Sequence, residues 1–254
     1  MLNNLTPKQI QNKLDFIKNY IAAGNAADGS IVDPNSNVTT KNVATMEAEL
    51  YKYENIQVNR AIICEKLTEM EGTELAAQYL KDIHDHLIYV HDETSLKPYC
   101  ASITLYPFLF EGSKTLGGTS SRPRNLQSFC GSFVNLMYQI AGGFAGAVAT
   151  VEFLMYFDYF AKKTYGTSYL TTNSREIKQE LQGVIYSMNQ PAAARGFQSI
   201  FWNISVFDEH YFVSLFDEFY FPDGSKPDYR SPSSSSKSSS WNGFVKNAAK
   251  NCSH

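Results

Sequence analysis

The chain is short of cysteine, of net charge and of basic segments, and each shortage closes a class of function. Its four cysteines, Cys64, Cys100, Cys130 and Cys252, are scattered over 254 residues without a Cys-x-x-Cys pair. Neither a zinc knuckle nor a disulfide framework can be read from that spacing, and no metal site is expected in this chain. A formal net charge of −3 offers no basic face for nucleic acid and no block of like charge for a membrane surface. The opening residues lack a basic segment followed by an apolar one, so no secretory signal is visible and a reducing cytoplasm is the expected compartment. There is no internal repeat. One apolar run, residues 141–157, has about the length of a bilayer crossing. Glu152 lies inside it, Gly142-Gly143 interrupts its start and Asp158 follows at once, so a helix buried in a soluble domain is the expectation.

What is present is a good supply of apolar side chains, rich in Phe and Tyr, enough to fill one large core or two small ones. Thr6, Pro7 and Gln9 spell a helix start with a capping box, and Ile10, Leu14, Ile17 and Ile21 form one stripe after it, with Gly24 placed to end the helix. Residues 26–37 read as loop. Helical spacing returns through Val43, Met46 and Leu50, through residues 62–70, and through Leu75, Tyr79 and Ile83 after a Thr73 cap. Residues 99–106, bracketed by Pro98 and Pro107, have the length and composition of a strand, and so do residues 199–207. Between them, residues 125–165 read as helix, apolar on nearly all sides, and a further helix follows a cap at Asn173 or Ser174. Asp208 caps a short helix through Phe219. Helices alternating with isolated strands predict an α/β arrangement, although two strands are too few to close a sheet. Residues 231–254 carry no acidic residue and a run of serines, a composition that cannot bury a core and predicts a disordered tail.

Three places carry candidate chemistry. His91-Asp92-Glu93 can bind a metal or relay a proton, or can form a turn that bonds its own backbone. Cys100 is either a reactive thiol or a small core residue. Asn189, Arg195 and Gln198, leading into Asn203, put amides and a guanidinium at a helix-to-strand connection, where a ligand group often sits. A structural loop serves those residues equally well.

The motifs themselves are more telling. Tyr89-Val90-His91-Asp92-Glu93 running into Pro98-Tyr99-Cys100, then Phe129-Cys130-Gly131-Ser132-Phe133, the run Ala145-Gly146-Ala147-Val148-Ala149-Thr150-Val151-Glu152-Phe153, and Asn189-Gln190-Pro191-Ala192-Ala193-Ala194-Arg195-Gly196 before Phe201-Trp202-Asn203 occur in order. Together they resemble the anaerobic (class III) ribonucleoside-triphosphate reductases over about residues 5–230. The resemblance implies the first half of a ten-stranded α/β barrel, the glycyl-radical enzyme fold, with a helical N-terminal part at 5–88 and a barrel part at 89–230. It implies anaerobic reduction of ribonucleoside triphosphates to deoxyribonucleoside triphosphates by glycyl/thiyl radical chemistry. Cys100 matches the strand cysteine beside the substrate, and His91, Asp92, Asn189, Arg195, Gln198 and Asn203 become substrate-binding candidates. The implied partners are a radical-SAM activase, which uses S-adenosylmethionine and an iron–sulfur cluster, and a second copy of the chain in a homodimer. ATP and deoxynucleoside triphosphates are the implied effectors.

The parts of the family expected beyond this sequence are the finger-loop cysteine, the glycyl-radical site and the zinc-binding cysteines. No ATP-cone is expected before the barrel part. Codons permitted for residues 238–244, read one base upstream, spell Lys-Phe-Phe-Met-Glu-Trp-Phe, a family continuation, so a frameshift near residue 231 is the expected origin of the serine-rich segment. Two alternatives stand beside the main reading. One is a non-catalytic nucleotide-binding fragment; the other is a glycyl-radical enzyme of the pyruvate formate-lyase type.

Overall fold

The structure, a computed structural model, describes residues 5–22, 43–90, 93–115, 118–190 and 199–229. They fall into two compact units that divide between Tyr99 and Cys100. The serine-rich segment, with the tail expected there, lies outside the described residues, as does Gly24.

The first unit is helical: α1 (Pro7–Ala22), α2 (Val43–Leu50), α3 (Lys52–Glu71) and α4 (Thr73–His84). The capping box at its start forms as the sequence predicts. The Gln9 N–H donates to Thr6 Oγ1 at 3.3 Å, and the Thr6 N–H donates to Gln9 Oε1 at 2.8 Å. The stripe behind it is not buried, since Ile10 and Leu14 are 46% and 45% exposed. The α3–α4 junction also differs from expectation. Thr73 is the first helical residue, and the cap position belongs to Gly72 at φ 94°, a conformation that favours glycine. Polar contacts tie this unit together: Lys13 pairs with Glu54 at 2.8 Å, and Arg60 reaches Glu93 with two nitrogens, at 2.8 and 2.5 Å.

The second unit is mixed α/β, with β1 (Ala101–Ile103), α5 (Tyr106–Glu111), β2 (Ser113–Thr115), β3 (Gly118–Ser120), α6 (Leu126–Ala141), β4 (Val148–Thr150), α7 (Phe153–Tyr165), α8 (Tyr169–Thr172), α9 (Ser174–Met188), β5 (Trp202–Ile204) and α10 (Glu209–Phe216). Strands β1, β4 and β5 form a parallel sheet in the order β1-β4-β5. Helices carry both crossovers, as parallel neighbours require. Strands β2 and β3 form a separate hairpin. Gly112 precedes it at φ 82°, where a Cβ would stand 2.1 Å from the Ser120 carbonyl oxygen.

The two expected strands are present but shorter than the sequence suggests, because α5 takes over at Tyr106 and the second ladder ends at Ile204. The central strand corrects the reading more deeply. Residues 125–165 are not helical throughout, and 141–157 is not a buried helix; α6 stops at Ala141, β4 occupies 148–150 and α7 starts at Phe153. A central parallel strand is covered by helices, so it reads as a continuous apolar run and mimics the helices on either side.

The core lies between the sheet and the helices. Phe129 of α6 is at its centre, fully buried, with the rings of Phe133, Phe153, Phe160 and Tyr156 at 6.0, 5.7, 5.0 and 6.4 Å. The N-terminus of α6 is fixed by a capping box between Asn125 and Ser128, which sets the register of this aromatic face. The Asp208 cap on α10 forms as expected, accepting from the Tyr211 N–H at 2.8 Å. Asn173 precedes α9 without a side-chain cap bond. Phe129→Ala removes the hub of the ring cluster and is expected to destabilise the second unit by about 3–5 kcal/mol. Urea unfolding of the two proteins checks this; a loss below about 1 kcal/mol would mean that the cluster collapses to fill the space.

Candidate functional site

Alternation along three aligned strands sorts side chains between two faces. Val148 and Thr150 of β4 are fully buried, and Ile103, Trp202 and Ile204 pack on the same core. Their neighbours point the other way. Ser102, Ala149 and Asn203 are in register across the sheet, and Ser102 and Asn203 are exposed. With strands spaced by about 4.8 Å, Ser102 and Asn203 stand roughly 10 Å apart across the small Ala149.

Cys100 lies one step before β1 and, by the same alternation, on the Ser102 side. It is exposed, and its sulfur accepts the Ala147 N–H at 3.2 Å. The Ala101 N–H donates to the Ala147 carbonyl at 3.1 Å, so the ladder continues to the residue that holds the sulfur. The open face therefore carries a thiol, a hydroxyl and a carboxamide over small residues.

The opposite face keeps these groups in place. Trp202 Nε1–H donates to Thr150 Oγ1 at 2.8 Å, and the Trp202 ring packs against Phe133 and Phe153 at 5.1 and 4.6 Å. That fixes β5 against β4 one residue from Asn203. Glu152, only 5% exposed, accepts from Thr104 Oγ1 at 2.5 Å and from the Leu105 N–H at 3.4 Å, tying the end of β1 to the turn after β4.

Of the seven candidate residues from the sequence, the structure brings Cys100 and Asn203 to one face. Asn189 closes α9, exposed, at the C-cap and not on the sheet. His91, Asp92, Arg195 and Gln198 lie outside the described residues. Ser102, the Ala147 amide and the Thr150–Trp202 bond were not singled out from sequence. Alternation from Cys100 points to Ser102, whereas the other two need the β4 register. Cys130 is buried at 4% exposure in α6, and burial pushes its thiol well above the usual range, with Glu180 adding to the effect. Among the described residues no three His, Cys, Asp or Glu side chains gather as a metal site, and no helix is long and apolar enough to cross a membrane.

The family model for anaerobic ribonucleoside-triphosphate reductase matches residues 47–230, most of the chain. The chain belongs to that family. Its fold agrees with solved structures. The anaerobic ribonucleotide reductase from Thermotoga maritima with citrate in the active site is 22% identical at TM-score 0.68, covering 96% of this chain and 39% of that one. The same reductase in complex with dATP and CTP is 21% identical at TM-score 0.67, covering 99% and 41%. A further anaerobic ribonucleotide reductase is 24% identical at TM-score 0.69, covering 96% and 35%. This chain thus spans about two fifths of the reductase chains it matches. No curated protein matches it. Within this reductase-family chain the two sheet-unit cysteines should differ sharply. Under native conditions iodoacetamide is expected to label Cys100 and spare Cys130 until denaturant is added, read by mass spectrometry of the two peptides.

Proposed function

We propose that this chain supplies the substrate-side part of an anaerobic ribonucleotide reductase, which converts ribonucleoside triphosphates to deoxyribonucleoside triphosphates by glycyl/thiyl radical chemistry. In this reading residues 1–230 are the N-terminal half of a ten-stranded catalytic barrel, and the open face of β1-β4-β5 is the barrel interior. The observation that carries it is the shared face of Cys100, Ser102 and Asn203, on a sheet whose other side packs on the core.

Each group on that face has a task suited to a ribose. Asn203 and Ser102 offer donors and acceptors for sugar hydroxyls. Cys100, held by the Ala147 amide, presents a thiol that can deliver reducing equivalents at the 2′ carbon. The small side chain of Ala149 leaves the sugar room to approach the backbone. Closing the barrel would exclude water, which favours radical chemistry by preventing side reactions. A glycyl radical, installed by a radical-SAM activase with S-adenosylmethionine and an iron–sulfur cluster, supplies the one-electron oxidation that starts the reaction. The partners in this reading are the activase, a second copy of the chain, and dNTP or ATP effectors; one solved relative carries dATP in its specificity site.

Two measurements test the proposal. A ribonucleoside triphosphate should slow alkylation of Cys100 severalfold and leave Cys64 unaffected; unchanged Cys100 labelling would remove the substrate-side reading of this face. With activase, S-adenosylmethionine, reductant and substrate, the chain alone is expected to form no deoxyribonucleotide, because nothing in the sequence given matches the radical-bearing glycine segment or the finger-loop thiol. Product from the chain alone would overturn that division of labour. Proximity multiplies the rate of a reaction that can start, but it does not supply the missing oxidant.

A further inference from the structure

The packed side of the sheet holds one polar side chain whose effect reaches the open side. Thr150 is fully buried in β4, on the face where Val148, Ile103 and Ile204 pack on the core. Among the described residues of the three strands it is the one fully buried polar side chain. Valine is also β-branched and suits a strand as well, so packing alone does not call for the hydroxyl. A hydroxyl taken out of water is costly unless it is hydrogen-bonded, and this one accepts the Trp202 Nε1–H at 2.8 Å.

The bond is diagonal. Trp202 is in register with Val148, and Thr150 with Ile204, so the indole leans two residues along the sheet. On the packed side it thereby spans the Ala149–Asn203 pair that shows on the open side. The rings of Phe133 at 5.1 Å and Phe153 at 4.6 Å, the latter edge-on at 87°, hold the plane of the indole. Apolar contacts do not choose between the two ways an indole can lie in one plane, whereas an acceptor for its single N–H does. Side-chain and backbone angles of a residue are coupled, so a fixed Trp202 fixes the backbone that enters Asn203. The three-residue strand β5 depends on this, since among the described residues it pairs with β4 alone. Cys100 and Ser102 are held by other means, the Ala147 amide and the β1–β4 ladder.

We infer that Thr150 is a positioning residue for Asn203: through Trp202 it sets the direction in which the Asn203 carboxamide stands on the open face. Hydrogen bonds weaken steeply as their angles open, so a carboxamide held in one direction binds a sugar hydroxyl better than one free to turn. The consequence for a ligand rests on the reading of that face as the substrate side. The link from Thr150 to Asn203 does not, because it stands on the hydrogen bond, the ring contacts and the strand register.

Three variants test it. Thr150→Val removes the acceptor and keeps the branched shape, Thr150→Ser keeps the acceptor and loses a methyl, and Trp202→Phe removes the donor. In NMR spectra of isotope-labelled protein, the Trp202 indole N–H is identified by its loss in Trp202→Phe. It should exchange slowly in the parent and in Thr150→Ser, and about tenfold faster or more in Thr150→Val. The side-chain amide signals of Asn203, identified by their loss in Asn203→Ala, should broaden or shift in Thr150→Val and Trp202→Phe and match the parent in Thr150→Ser. Affinity for a ribonucleoside triphosphate, read from protection of Cys100 against alkylation, should fall about tenfold in the first two and recover in Thr150→Ser. If Thr150→Val does not fold, Trp202→Phe carries the same comparison. Absence of protection in the parent chain would remove the substrate-side reading and leave the amide signals to decide the inference. Parent-like Asn203 signals in Thr150→Val and Trp202→Phe, or Thr150→Ser behaving as Thr150→Val does, would overturn it.

Discussion

Three parallel strands of three residues each have few ladder hydrogen bonds, and parallel pairing is slightly weaker per residue than antiparallel. What holds β1, β4 and β5 in register is burial of one face. Val148 and Thr150 are fully buried, and Trp202 reaches across to Thr150 while its ring packs on α6 and α7. Because α6 and α7 are themselves joined through Phe129, that aromatic cluster fixes the sheet, and the sheet fixes where Cys100 and Asn203 stand. The position of the candidate site is thus a consequence of packing on the side of the sheet away from it.

That dependence also explains what was legible in the sequence. The α/β class, the strands at either end of the sheet and the caps at Thr6 and Asp208 rest on local signals, and local signals were present. The central strand was not legible, because Val148-Ala149-Thr150 sits between two apolar helices and is covered by them, which erases the period-two alternation that marks a half-exposed strand. Gly142-Gly143 was the one local hint of a break. Cys100 and Asn203 were readable as candidates from their motifs. Their common face was not, since it depends on β4 lying between their strands. Membership of the reductase family was readable because long motifs occurred in order, and order survives where single residues change.

Buried carboxylates in the second unit show how the apolar run 141–157 tolerates charge. Glu152 spends its oxygens on Thr104 and Leu105, and Asp158 accepts from the Tyr169 hydroxyl at 2.7 Å while pairing with Lys162 at 2.8 Å. A buried charge is tolerated when its lone pairs are matched. Glu152 therefore acts as a clamp across the ends of β1 and β4. In a membrane span the same residue would lack such partners, so the feature that argued against a bilayer crossing in the sequence is the one that closes the sheet in the fold.

The open face raises a final point about composition. Parallel sheets are normally covered on both sides, and among the described residues this one is covered on one. If the uncovered side were simply a truncated core, it should carry large apolar residues like those opposite. Apart from Phe201, which alternation puts on the same side one step before β5, it carries Cys100, Ser102, Ala149 and Asn203. Small and polar side chains gain little from burial against protein, but they allow a polar ligand to approach the backbone closely and find hydrogen-bond partners there. The contrast between the two faces of the same strands is what the proposed substrate-side role of the Cys100 face requires. That requirement is a physical one, separate from the family match.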